Sequence, residues 1–404
     1  MVHEMGGAEK VALQRERGKL TVRERIERLL DDGSFHETGA LSGRAQYDEA
    51  GNLQALTPTN FLFGRGRIDD RPVLVAADDF TVRGGAADAA IWQKQVIAEQ
   101  TAHELALPIV RLIDGTGGGG SVKQLDGPMG RTYVPRNPGW EWVVANLGKV
   151  PVVSLALGPV AGLGAARAVS SHYSIMVDGL SQMFVAGPPV VARTGEQVTK
   201  EELGGSQIHT RNGAIDDAVP DEDAAFARAR RFLSYLPRSV DELPARTTPQ
   251  DDPNRREAWL LDAIPHDRRK VYKMRPIIEA LVDQGSFFEM GVRFGRSLIT
   301  GLARLDGWPV ALMASDPYHY GGCWTADTAD KATRFIDLAE TFHLPVVHLV
   351  DNPGFLVGTR AEEQATIRHG ARALAGVYQA RVPWCSVLIR KCFGMGFTTA
   401  GSAV

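Results

Sequence analysis

The chain reads as an α/β protein built by tandem duplication of one domain, and three observations carry that reading. Short apolar runs alternate with helical stretches of roughly 15 residues, the pattern of strands joined by crossover helices. A set of residues in the first half recurs in the second at fixed spacing. Two apolar runs of the same design each open onto glycine: Leu107–Ser121, LPIVRLIDGTGGGGS, and Leu344–Gly354, LPVVHLVDNPG.

The elements follow in order. Thr21–Leu30, TVRERIERLL, places Val22, Ile26, Leu29 and Leu30 on one side of a helix that stops at Asp31-Asp32-Gly33. Tyr272–Gly291 repeats it: Arg23, Ile26, Leu29 and Gly33 return as Arg275, Ile278, Leu281 and Gly285, each 252 positions on. Ala45–Thr59 is an insertion in the first copy, polar and loop-like. Beyond it, Pro72, Asp79, Gly84, Gly85, Pro108 and Asp114 return as Pro309, Asp316, Gly321, Gly322, Pro345 and Asp351, all displaced by 237. Val150-Pro151 and Val382-Pro383 match at 232. Buried strands are expected at Val73–Ala77, Ile109–Ile113 and Val152–Leu157, and in the second copy at Val310–Ala314, Val346–Val350 and Ser386–Ile389. Helices are expected at Asp88–Leu105 and Asp327–Thr341. The first copy continues with a strand near Ile175–Val177 and a helix around Ala224–Leu236. Leu243–Asn254, rich in Pro and Asp, reads as the linker, which gives domains 1–245 and 255–404.

Composition narrows the function. The 404 residues are 44% hydrophobic and 23% charged, with formal net charge −3, so no basic excess exists for nucleic acid. Cys323, Cys385 and Cys392 show no metal-binding spacing, which points to a reduced, cytoplasmic setting without a structural metal. The N-terminus has no apolar leader and carries Glu4, Glu9 and Glu16 beside its arginines, and no run is long enough to span a membrane.

The glycine run Gly115–Gly120 admits several readings. A phosphate loop needs a lysine where Ser121 stands, and a dinucleotide loop should open a helix where Asp126–Pro138 holds three prolines. An oxyanion site, built from successive backbone N–H groups, needs no side chain at all. An ordinary glycine-rich loop is the plain alternative. His209 reads as a hydrogen-bonding structural histidine, Asp114 and Asp351 as residues that orient the loops after them, and Arg228–Arg231 as a solvated helix face. Lys273-Met274 lies at a helix start aligned with Thr21, unlike a biotin-bearing lysine on a hairpin.

Val150–Val177, a strand, a glycine turn through Gly158, Gly162 and Gly164, and an Ala-rich helix, resembles the crotonase superfamily. The whole chain resembles the carboxyltransferase (β) subunit of biotin-dependent acyl-CoA carboxylases, of the propionyl-CoA and methylcrotonyl-CoA carboxylase type. The matching pieces are RERIERLLDDGSFHE, DFTVRGG, LPIVRLIDG, LPVVHLVDNPGFLVG, and Leu203–Ala218 with Gly204, Gly205, His209, Gly213 and Asp216. The resemblance implies two crotonase-like domains and transfer of a carboxyl group from carboxybiotin to the α-carbon of a coenzyme A thioester. It implies oxyanion donors within Gly117, Gly118 and Gly119 on the thioester side, and at Met395 and Gly396 on the biotin side. Substrate contacts fall at Gly84, Gly85, Gly162, Gly164, His319, Gly321 and Gly322. It further implies a partner biotin carboxylase/biotin carboxyl carrier subunit, and a homo-hexamer with active sites between the N-half of one subunit and the C-half of another. Neither nucleic acid nor membrane is a partner. A biotin-linked decarboxylase and an inactive assembly copy are the alternatives. Family members continue past the point matching Val404, so the second copy is expected to be incomplete and the chain alone insoluble or inactive.

Overall fold

The computed structural model describes residues 2–85, 92–115, 139–249, 251–267 and 269–394. The chain divides into two compact units, Met1–His209 with Ala218–Arg230, and Thr210–Asp217 with Arg231–Val404. The first holds a seven-stranded sheet in the order His36–Glu37, Phe61–Ile68, Arg71–Asp78, Ile109–Ile113, Val152–Ala156, Tyr173–Val177, Asp217–Val219. Its first two pairings are antiparallel, and the next three are parallel. Helices Trp92–Glu104, Trp140–Leu147 and Leu163–Val169 lie in the crossovers. The strands Ile109–Ile113, Val152–Ala156 and Tyr173–Val177 are buried at every position. Parallel strands covered on both faces must be apolar throughout, so their sequences run without alternation. Arg111 breaks the apolar run and is neutralised by Glu99 of the crossover helix, Nε to Oε1 at 2.8 Å and Nη2 to Oε2 at 2.9 Å.

The second unit repeats the plan. Phe288–Met290, Leu298–Leu305, Trp308–Ser315, Val346–Asn352 and Trp384–Cys392 form its sheet in that order. Two antiparallel pairings precede two parallel ones, and Ala326–Thr341 and Thr366–Gln379 are the crossover helices.

The duplication extends to single hydrogen bonds. The loops Asp69-Asp70 and Asp306-Gly307 each have positive φ at both positions, the geometry of tight hairpins. Asp31 clips the first loop by accepting from the Asp69 and Asp70 N–H groups at 3.0 and 2.9 Å. Asp283, 252 residues on, clips the second through Asp306 and Gly307 at 2.8 and 2.7 Å. Ser34 and Ser286 accept from the N–H groups of Arg67 and Arg304, both at 3.1 Å. Arg23 pairs with Glu37 at 3.0 Å, and Arg275 with Glu289 at 2.6 Å.

A pair of buried lysines obeys the same register. Lys94 donates to the Gly39 carbonyl at 3.1 Å. Lys331, 237 residues on, donates to those of Gly291, Phe294 and Leu298 at 2.8, 3.0 and 2.8 Å. Burial lowers the pKa of both, that of Lys331 to about 8.

Three expectations need correction. The Ala45–Thr59 insertion is no plain loop, because Gly43–Tyr47 pairs antiparallel with Leu53–Pro58. Both strands are solvent-exposed along most of their length, so no apolar alternation marks them. Arg228–Arg231 is more than a solvated face. Arg228 Nε donates to the Tyr173 hydroxyl at 2.6 Å. Arg230 caps the end of the Val22–Leu29 helix through the Arg28 and Leu30 carbonyls, and Arg231 donates to those of Gly285 and Phe287. The segment read as a linker, Leu243–Asn254, is pinned to the second unit, with Arg246 Nη2 on the Asp306 carboxylate at 2.6 Å and the Thr247 N–H on the Gly307 carbonyl.

Asp283→Ala removes two charge-assisted bonds from a strained hairpin and is expected to cost about 1–3 kcal/mol, read as a lower urea midpoint. Asp31→Ala costs less, since its site is more open to water.

Candidate functional site

In each unit the chemistry-bearing geometry lies where the central strand ends. In the first, Ile109–Ile113 stops at Asp114, whose carboxylate is fully buried. It accepts from Arg25 Nη1 at 2.7 Å, Lys19 Nζ at 2.6 Å and Gln14 Nε2 at 3.4 Å. Arg25 continues to both oxygens of Glu222, at 2.7 and 2.8 Å, and to the Leu157 carbonyl at 2.9 Å. Its helix, opened by a Thr21–Glu24 capping box, buries Val22, Arg25, Ile26 and Leu29, so the guanidinium occupies a core position of the apolar stripe. Two cations and two carboxylates share the cluster, which lets it be buried without net charge. Burial opposes the charge on Arg25, yet Asp114 and Glu222 outweigh it and hold its pKa above the ordinary value. On Lys19 burial prevails and lowers the pKa; its ammonium also lies 4.3 Å from the Phe80 ring centre.

Glycines admit this cluster. A Cβ at Gly158 would strike the Asp114 carboxylate and Lys19 Nζ, and one at Gly85 would press on the Asp114 carbonyl oxygen. Gly84 and Gly85 have φ of +64° and +65°, so the turn folds back over the Asp114-Gly115 peptide. The Asp114 N–H donates to Asp78 Oδ2 at 3.2 Å. Gly162, at φ +59°, opens the helix Leu163–Val169 that contains Gly164.

In the second unit Val346–Asn352 passes through Asp351, also fully buried. Its carboxylate accepts from the Tyr272 hydroxyl at 2.8 Å, Arg390 Nε at 3.2 Å and the Lys391 N–H at 3.0 Å. Burial and the Asp351 carboxylate push the Tyr272 pKa up, so the phenol remains a donor. The Arg390 guanidinium lies 4.9 Å from the Tyr272 ring centre. Gly321 and Gly322 repeat the left-handed turn, and a Cβ at Gly322 would meet the Asp351 carbonyl. The Asp351 N–H donates to Ser315 Oγ at 3.0 Å. Past the strand, Asn352 Oδ1 accepts from the Gly354 N–H at 2.8 Å, and the Gly354 carbonyl from the N–H of the fully buried Trp324 at 3.0 Å. His319 opens the Tyr320–Gly322 turn, partly buried; burial and then Arg296 lower its pKa, which favours the neutral imidazole.

The structure therefore places Gly85 against Asp114 and Gly322 against Asp351, with Gly84 in the first turn and His319 and Gly321 in the second. Gly117, Gly118, Gly119, Met395 and Gly396 lie outside the described residues, as does Asp126–Pro138. His209 takes no part at either strand end: its Nε2 meets the Met183 carbonyl at 2.7 Å. Lys273 directly precedes the helix Met274–Leu281. Sequence reading missed Lys19, Arg25, Glu222, Tyr272, Arg390 and Asp78, although the apolar spacing around Arg25 marked its face as buried. Among the described residues no group of three His, Cys, Asp or Glu could hold a metal. The nearby Cys323 thiol has its pKa raised by burial, which disfavours a nucleophilic thiolate. What the described residues show at both ends is a buried aspartate and a glycine turn packed on its peptide.

Asp114→Ala leaves two buried cations facing one carboxylate, and the loss should be about 3–5 kcal/mol in urea denaturation. Gly322→Ala is expected to destabilise by at least about 1 kcal/mol through its left-handed φ alone, before the carbonyl collision is added.

The Carboxyl transferase domain family model matches residues 13–403. The propionyl-CoA carboxylase carboxyltransferase subunit of Haloferax mediterranei is 34% identical over 401 residues, 98% of this chain and 76% of that protein. The methylmalonyl-CoA decarboxylase subunit alpha of Veillonella parvula is 34% identical over 392 residues, 96% of this chain and 76% of that protein. The crystal structure of transcarboxylase 12S, a hexamer with hydrolysed methylmalonyl-coenzyme A bound, superposes with TM-score 0.87 at 33% identity, covering 99% of this chain and 78% of that one. The tandem crotonase-like fold expected from the repeat is thus the fold of a carboxyltransferase. With sequence, architecture and the duplicated strand ends in agreement, the chain belongs to the carboxyl transferase domain family.

Proposed function

We propose that this chain transfers a carboxyl group between carboxybiotin and the α-carbon of a short acyl-CoA, propionyl-CoA first among them. The observation that carries the reading is the pair of equivalent strand ends. In each, polar and charged side chains hold a buried aspartate, and glycine lets the neighbouring turn pack directly on its peptide, just before a second loop. A reaction that develops charge on a thioester oxygen and on a ureido oxygen needs two such places. Carboxybiotin, carried by a partner, supplies the carboxyl group and, after losing it, a base for the α-proton.

The chain's own part is to bind, orient and stabilise. The first domain, residues 1–245, takes the acyl-CoA, with oxyanion donors within Gly117, Gly118 and Gly119 and contacts at Gly84, Gly85, Gly162 and Gly164. The second, residues 255–404, takes biotin, with donors at Met395 and Gly396 and contacts at His319, Gly321 and Gly322. Each backbone donor is worth roughly 3 kcal/mol in such a site, and fixing both reactants supplies much of the rest. A biotin carboxylase and biotin carboxyl carrier subunit is the partner, six copies of this chain the assembly, and the cytoplasm the setting. Likeness to a decarboxylase subunit supports a second direction, loss of carbon dioxide from methylmalonyl-CoA.

The half-reaction without ATP tests this. Labelled methylmalonyl-CoA incubated with the purified chain and free biotin should lose label to biotin and yield propionyl-CoA, a result that would also overturn the expectation that the chain alone is insoluble or inactive. Release of carbon dioxide alone would select the decarboxylase. No turnover, together with co-purification with the biotinylated partner, would reduce the chain to an assembly role and overturn the proposal.

A further inference from the structure

The duplication contains its own control experiment at the residue that ends the second central strand. Asp78 closes Arg71–Asp78, and its Oδ2 accepts the N–H of Asp114 at 3.2 Å. In the second copy the same backbone position, 237 residues on, is Ser315, whose hydroxyl accepts the N–H of Asp351 at 3.0 Å. A neutral hydroxyl therefore suffices to hold this peptide. The first copy uses a carboxylate instead, partly buried and close to the carboxylate of Asp114. Among the described residues the Asp78 carboxylate makes this one hydrogen bond.

That choice has an electrostatic cost which Ser315 avoids. Burial raises the Asp78 pKa to about 6, against the pull of Arg167 from the Leu163–Val169 helix and of Arg25, with Asp114 adding to the rise. The charged groups facing it are thus Arg167, Arg25 and Asp114, the last already bound to Lys19. The peptide held is Ile113–Asp114, the last of the strand, and Gly85 packs on the next one, against the Asp114 carbonyl oxygen and the Gly115 Cα. An ionised carboxylate grips an N–H about twice as strongly as a neutral acceptor does.

We infer that Asp78 is a positioning residue of the first strand end: its carboxylate, through the Asp114 N–H, anchors the last peptide of the strand and with it Asp114. The inference rests on the carboxyl-transfer reading for its consequence in catalysis, but not for its geometry. Ionised Asp78 holds the Ile113–Asp114 peptide firmly; protonated Asp78 holds it weakly. The folded-state pKa lies above the unfolded value, so folding is favoured by this group at low pH and loses that contribution as pH rises through about 6.

The test compares the full chain with Asp78→Ser, the second copy's own solution, and with Asp78→Asn, which keeps the shape. Hydrogen exchange at the Asp114 N–H, corrected for the intrinsic rate, should lose roughly tenfold or more of its protection between pH 7.5 and 5 in the parent. In both variants that protection should not change with pH. Both variants should melt higher than the parent at pH 7.5, by roughly 2–6 °C, with the gap narrowing toward pH 5. With the biotinylated partner present, the kcat for propionyl-CoA should show an acid limb near pH 6 that the variants lack. Protection independent of pH in the parent, or equally pH-dependent in Asp78→Ser, would overturn the inference. The expected exchange behaviour without any turnover of propionyl-CoA would leave Asp78's role standing and remove the carboxyl-transfer reading instead.

Discussion

Everything at the two strand ends depends on burying a carboxylate. A parallel strand delivers its terminal peptide to the rim of the sheet, and in both copies the residue placed there is an aspartate with no access to water. An ion in that position is tolerable only if opposite charge and hydrogen bonds replace its hydration. The surrounding chain is arranged to provide them. A helix that would otherwise be a plain amphipathic element turns an arginine inward, and a glycine replaces any larger residue that would stand in the way. The left-handed Gly-Gly turn packs on the same peptide from outside. Remove the aspartate and none of these choices has a reason.

The two copies share a backbone but not a set of partners. Asp114 is neutralised by Lys19 and Arg25, both from the segment that precedes the sheet. Asp351 relies on Tyr272, from the comparable segment, and on Arg390 from the neighbouring strand. The hairpin clips, the glycine turns and the buried lysines stayed in register while the counter-ions changed. Backbone geometry is thus the constrained quantity, and several side-chain solutions satisfy it.

Much of this was legible in the sequence, for identifiable reasons. Ile109–Ile113 and Val346–Val350 declared themselves because both faces of a parallel strand are buried. Gly84, Gly85, Gly321 and Gly322 were legible because positive φ and a close carbonyl leave glycine as the residue that fits. The exposed hairpin Gly43–Tyr47 with Leu53–Pro58 was not, since nothing in it is buried to create a pattern. Arg25, Lys19 and Arg228 were hidden for the opposite reason: a charged residue looks solvent-facing until its partner, far along the chain, is known. Lys94 and Lys331 could have been found, for they stand 237 positions apart like the glycines. The donors at Gly117–Gly119 and at Met395-Gly396 are assigned by family resemblance alone.

The span of the first cluster also sets an order of events in synthesis. Arg25 and Glu222 are 197 residues apart, and Lys19 and Asp114 are 95 apart. As the chain emerges from the ribosome, Lys19, Arg25 and Asp114 are available long before Glu222, but until Glu222 arrives the Arg25 guanidinium lacks the carboxylate that takes two of its hydrogen bonds. A buried guanidinium short of a partner is destabilised, which disfavours early closure of the first strand end. Closure awaits the helix Glu222–Ser234, the last helix that contributes to this unit. A nascent chain halted before that helix would hold a sheet with an open, charged rim, recognisable to chaperones and proteases alike.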